Sequence, residues 1–134
     1  MSAILLDTSA YSAFMRGHPE LKLAVQRSEE IRVTPIVLGE LISGFKMGKD
    51  EGRNRKLLEE FLSSPRVNIL EIDEETSERY AIILNALRGK GTLIPTNDIW
   101  IASSAMQYGL KVVTTDTHYL QLSQVLVECF GQHE

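Results

Sequence analysis

Five short apolar runs, AILL (3–6), IRV (31–33), VNIL (67–70), KVVTT (111–115) and VLVEC (125–129), recur along a chain of 134 residues and are separated by stretches of helical character. Runs this short and this rich in Ile, Val and Leu read as strands buried on both faces. A sheet of such strands needs helices on each side. The intervening segments supply them: TPIVLGELISGFKMG (34–48) opens with Thr34 as an N-cap and Pro35 at the first helical position, and Gly48 follows as a stop. DEETSERYAIILNALRGKG (73–91) begins on an acidic turn and ends on Arg88, Gly89 and Gly91, and NDIWIASSAMQYG (97–109) closes at Gly109 just before a strand. Strands alternating with helices predict an α/β fold of three layers around a mostly parallel central sheet. At this length, with 43% hydrophobic residues, one domain over residues 1–134 is expected.

Composition narrows the function. No apolar run approaches the roughly 20 residues of a membrane span, and the first residues lack the pattern of a signal peptide, so a cytoplasmic protein is expected. The one cysteine, Cys129, allows neither an internal disulfide nor a thiolate metal cluster. A net charge of −4 repels nucleic acid, so any binding to RNA or DNA must depend on a local basic patch or a cation.

Carboxylates stand where an α/β fold puts its ligand sites, beyond the carboxyl ends of the strands. Asp7 follows AILL and Asp116 follows KVVTT, which predicts a common sheet edge for the two. Either alone reads equally as a loop or helix-capping residue. At 100° per residue, Asp98 falls within an arc formed by Ile99, Ile101, Ala102, Ala105, Met106 and Tyr108. A first-turn position beside a capping Asn97 explains its place along the helix but not its orientation. Glu40 is similar, flanked on the wheel by Ile36 and Met47 on one side and Val37 on the other. The ordinary alternative for Glu40 is a buried ion pair with an arginine.

Four carboxylates sharing a dry pocket raise one another's pKa, and a divalent cation resolves the conflict. Oxygen donors with neither a histidine cluster nor cysteine suit Mg²⁺ or Mn²⁺, and a water on such an ion is a ready nucleophile for phosphodiester hydrolysis. Thr8, Ser9, Asn97, Thr114 and Thr115 would hold ligands or waters there, or act simply as caps and strand-end hydrogen bonders.

These motifs resemble those of the PIN-domain ribonucleases, and among them the VapC-type toxins of toxin–antitoxin pairs. LLDTSAY resembles the first acidic motif of the family, VLGELISG its helix-borne Glu, IPTNDIWIASSA its third motif and KVVTTDTHYLQL its fourth, in the same order and over nearly all of the chain. The resemblance implies catalytic, metal-holding roles for Asp7, Glu40, Asp98 and Asp116. It also implies a PIN-like sheet between helices, Mg²⁺- or Mn²⁺-dependent endoribonuclease activity, a homodimer, and inhibition by a cognate antitoxin whose tail fills the groove. The chain departs from the family at Ser9, where many members carry Asn, and at His118, where some carry a further acid, which leaves one or two cations open. His118 either contacts a phosphate or packs and hydrogen-bonds in the turn before Tyr119.

Lys46, Lys49, Arg53, Arg55 and Lys56 form the main basic cluster, in KMGKDEGRNRK, and read either as a hold on the RNA backbone or as a solvated surface. Trp100 lies opposite the apolar arc of its helix, at an interface or under another helix. Two other readings compete. A phospho-receiver domain also sets Asp at strand ends, but it needs an adjacent acidic pair after the first strand and a late Lys that this chain lacks. A PIN-like RNA-binding module without catalysis is the other.

Overall fold

The computed structural model describes residues 2–131. All five apolar runs form strands: β1 (Ala3–Leu6), β2 (Glu30–Val33), β3 (Val67–Ile69), β4 (Lys111–Thr114) and β5 (Val127–Cys129). They make one sheet in the order β3-β2-β1-β4-β5, with every pairing parallel. Six helices surround it: α1 (Thr8–Met15), α2 (Pro19–Arg27), α3 (Pro35–Met47), α4 (Glu51–Leu62), α5 (Glu74–Lys90) and α6 (Thr96–Tyr108). The expected three-layer α/β architecture is therefore the one observed.

The period-two geometry of β1 divides the core. Leu5 joins Val37, Leu41, Ile83, Leu87, Ile99 and Ile101 of α3, α5 and α6 on one face. Ile4 and Leu6 join Ala10, Ala13, Leu21 and Val25 of α1 and α2 on the other. Leu5 and Leu6 are both fully buried, and each such side chain contributes about 1.5–3 kcal/mol. Covering both faces is what forces β1 to be apolar at every position.

The helix ends follow the sequence chemistry. Asp7 caps α1 through Ala10 N–H, Thr34 caps α3 through Val37 N–H, and Asp73 closes a capping box with Thr76. Gly91 and Gly109 end α5 and α6 in the left-handed conformation, at φ 70° and 67°, where a Cβ would be strained. Helix α2 went unread in the sequence, although His18 caps it through Leu21 N–H and Pro19 occupies its first turn.

Three expectations are corrected. The cap of α6 is Pro95, not Asn97, which lies inside the first turn. Tyr108 is 41% exposed and Met47 86% exposed, so neither belongs to a buried arc. The polar side of α6 is instead buried at Ser103 and Ser104, whose hydroxyls donate to the carbonyls of Ile99 and Trp100 one turn back. Helix α5 covers that side, and Trp100 stacks on Tyr80 of α5 with ring centroids 4.2 Å apart. Trp100 thus packs under another helix.

Because the chain runs from β1 outward to β2 and β3 and later returns to β4 beside β1, the strand order reverses between β1 and β4. A crevice opens at their carboxyl ends.

Candidate metal centre

Asp7 is the residue immediately after β1, and its backbone N–H donates to Val113 O of β4 at 3.3 Å. Its side chain is 3% exposed. Oδ1 accepts from Ala10 N–H at 2.8 Å and from the Ser9 hydroxyl at 2.8 Å, while Oδ2 accepts from the Thr114 hydroxyl at 2.6 Å. The end of β4 in turn holds both hydroxyls, since Asp116 N–H donates to Thr114 Oγ1 and Thr115 N–H donates to Ser9 Oγ. Two backbone donors thereby fix the carboxylate through two side chains. Burial raises the Asp7 pKa from 3.8 to about 6, with the charge of Asp98 adding to it and the Thr114, Ala10 and Ser9 hydrogen bonds opposing it.

Asp98, in the first turn of α6, is half-buried, and burial together with the charge of Asp116 raises its pKa, while hydrogen bonds from His118 and Tyr119 pull it down. Tyr119, fully buried, donates its hydroxyl to Asp98 Oδ1 at 3.3 Å. Burial and the surrounding acids hold the phenol far above its ordinary pKa, so it stays protonated as a donor. Asp116 caps a 3₁₀ turn (Thr117–Gln121) by accepting from His118 N–H at 2.9 Å. The imidazole Nδ1 of His118 lies 3.0 Å from Asp98 Oδ2 and 3.1 Å from Asp116 Oδ1. His118 therefore hydrogen-bonds in the turn before Tyr119, as one of its two readings expects, and its partners there are two of the candidate acids.

Glu40 stands at the outer side of this group. Thr8, next to Asp7, donates to its Oε1 at 2.5 Å, and Asn97, next to Asp98, donates to its Oε2 at 3.2 Å. The carboxylate is aimed not at the core but at an open groove of about 600 Å³ along α3, floored by Gly39, Ser43 and Gly44 and reaching Met47. Among the described residues no Lys or Arg forms an ion pair with Asp7, Glu40, Asp98 or Asp116, so the arginine alternative for Glu40 fails.

All four predicted acids thus reach one sheet edge from β1, α3, α6 and β4. The tightest convergence is Asp98, Asp116 and His118, one ligand atom of each lying within 4.8 Å of the others. Asp7 is linked to that group through the charge of Asp98, and Glu40 through Asn97, the neighbour of Asp98. A hard divalent cation fits the donors, which are mostly carboxylate oxygens without a Lys or Arg ion pair among the described residues. Ser9, Thr8 and Asn97 position acids. Thr115 acts here through its backbone N–H. Tyr119 was missed, although a buried tyrosine three residues after a candidate ligand needs a partner for its hydroxyl.

The basic cluster is partly neutralised. Lys46 and Arg55 share Glu51 Oε2 at 3.1 and 3.8 Å. Lys49, Arg53 and Lys56 are exposed and have no ion-pair partner among the described residues.

The PIN-domain family model matches residues 4–124. Ribonuclease VapC4 of Mycobacterium tuberculosis is 32% identical over 95 residues, covering 71% of this chain and 73% of that protein. Ribonuclease VapC2 of Rickettsia felis is 30% identical over 117 residues, covering 84% and 85%. Among solved structures, DNA-bound VapBC from Salmonella typhimurium aligns with a TM-score of 0.83 at 27% identity, over 96% of this chain and 98% of that one. VapBC2 from Rickettsia felis, bound to a promoter DNA fragment, aligns with a TM-score of 0.81 at 27% identity, over 94% and 97%.

Proposed function

Because the chain belongs to the PIN-domain family, we propose that it is a Mg²⁺- or Mn²⁺-dependent endoribonuclease, the toxin of a toxin–antitoxin pair. The observation that carries this reading is the gathering of Asp7, Glu40, Asp98 and Asp116 at one sheet edge with no lysine or arginine paired to them among the described residues. A buried carboxylate with its pKa raised to about 6 costs the folded protein free energy, which a bound cation offsets.

Asp98 and Asp116 would hold the ion, with Asp7 as a third anionic group. A bound cation supplies polarisation of a phosphoryl oxygen and a water of lowered pKa. Ser9 and Thr114 keep Asp7 from turning, and Tyr119 keeps Asp98 from turning. Glu40, held by Thr8 and Asn97, faces the groove and is placed to orient the attacking water. The groove runs along α3 as far as Met47, two residues before exposed Lys49, and in this reading it takes a single RNA strand.

In this reading residues 1–134 act as one nuclease domain in the cytoplasm, paired as a homodimer and restrained by an antitoxin. The structural relatives VapBC and VapBC2 are bound to DNA. Among the described residues no helix is long and apolar enough to cross a membrane.

The test is cleavage of structured RNAs by purified protein with Mg²⁺, with Mn²⁺ and with chelator, beside Asp98→Asn. Cleavage that needs metal and disappears in the variant is expected. Metal-independent cleavage, or a fully active variant, overturns the mechanism.

A further inference from the structure

His118 sits in the acidic group in a way that a solvated turn residue does not require. Its side chain is 46% exposed, yet Nδ1 is turned to one oxygen of Asp98 and one of Asp116 at 3.0 and 3.1 Å. Its own backbone N–H donates to that same Asp116 oxygen at 2.9 Å, which fixes the turn that presents the ring. Donor atoms about 2.1 Å from an octahedral cation stand about 3 Å apart when adjacent and about 4.2 Å apart when opposite. The two nitrogen–oxygen separations match adjacent positions, and one ligand atom of each of the three residues lies within 4.8 Å of the others.

We infer that Nδ1 of His118 is a direct nitrogen ligand of the cation held by Asp98 and Asp116, and that the mixed nitrogen–oxygen set selects Mn²⁺ over Mg²⁺. The inference rests on the metal-dependent reading above and adds to it the identity of the third ligand and of the ion. Mg²⁺ is small, hard and reluctant to exchange water for other donors, so it gains little from an imidazole. Transition ions bind imidazole nitrogen more favourably, and Mn²⁺ combines that with the octahedral, carboxylate-rich coordination offered here.

The test loads metal-free, full-length protein with Mn²⁺ and records pulsed electron paramagnetic resonance for coupling to a directly bound ¹⁴N. A parallel titration displaces Mn²⁺ with Mg²⁺. Wild-type protein should show the nitrogen coupling, and His118→Ala should lose it while its far-ultraviolet circular dichroism is retained. Preference for Mn²⁺ should fall by at least about tenfold in that variant. His118→Asp, which offers oxygen in place of nitrogen, should restore tight binding with Mg²⁺ now favoured relative to wild type. Mn²⁺ bound by wild-type protein without nitrogen coupling, or coupling and selectivity unchanged in His118→Ala, overturns the inference while leaving the acidic metal site standing. Failure of wild-type protein to bind Mn²⁺ at all overturns both this inference and the metal-dependent reading.

Discussion

Replacing Asp7 with Asn should make the metal-free protein more stable at neutral pH, although it removes a residue of the proposed active centre. The folded pKa of Asp7, about 6, lies above the ordinary 3.8 of an aspartate, so between those values the folded state binds more protons than the unfolded state. Stability from this group therefore falls as pH rises from about 4, and the full loss, about 3 kcal/mol, is present above about pH 7. Asn carries no charge and escapes that loss. It can still accept from Ala10 N–H, but its amide would face the Thr114 hydroxyl, which now points its proton at Asp7. Thr114 can redirect that proton to Ser9 Oγ, 3.2 Å away. Allowing about 1 kcal/mol for poorer hydrogen bonding leaves a net gain of about 2 kcal/mol. For a chain of 134 residues that is about 6 °C in Tm. The assay is thermal unfolding by circular dichroism in chelator from pH 4 to pH 8. The variant should melt above wild type at pH 7.5, and the difference should vanish or reverse near pH 4. Mn²⁺ should then raise the wild type far more than the variant. A pH-independent difference, or a variant less stable at pH 7.5 in chelator, would refute the account of Asp7 as an uncompensated buried charge.

Thr114→Val removes the 2.6 Å hydrogen bond to Asp7 and the acceptor for Asp116 N–H, and should cost about 1–3 kcal/mol in chemical denaturation. The Asp7 pKa should rise further in that variant, so its pH-dependent destabilisation should start near the same pH, about 4, but continue to a higher pH and reach a larger total than in wild type. Thr8→Val frees Glu40 Oε1 and should lower cleavage by roughly tenfold with little change in melting, read by initial rates under saturating metal. Reversing Lys49, Arg53 and Lys56 to Glu should weaken RNA binding at low salt, and each lost phosphate contact should reduce the slope of log K against log salt by about 0.7. Metal affinity should be retained, and unchanged RNA affinity would remove these residues from the binding path.

The strands and the caps were legible because their causes are local. Ile, Val and Leu in short runs, Asp7 before a helix, Pro35 after Thr34 and Gly91 after Arg88 each act within a few residues. The four acids were legible for a related reason: strand ends and helix wheels assign an edge or a face without knowledge of what packs there. What failed was non-local. The wheel of α6 gives no sign that α5 buries its serine side, because serine satisfies itself on the preceding turn and tolerates either environment. Met47 reads as apolar and buried until the end of α3 is seen to project beyond the core. His118 and Tyr119 take their meaning from Asp98, 20 and 21 positions earlier, and no spacing rule joins a 3₁₀ turn to the first turn of another helix.

The sheet order has a consequence for the order in which the protein can acquire its site. Strand β1 leads the chain but is the middle strand, and its second neighbour, β4, lies on the far side of β2, β3 and six helices in the sequence. Asp7 and the Thr114 that steadies it are 107 positions apart. A chain emerging from the ribosome can pair β1 with β2 early, yet it cannot assemble the acids until β4 has been made and has docked. Translation thus completes the acidic edge only after β4 has been made, so the site cannot exist while β1 and β2 alone have paired.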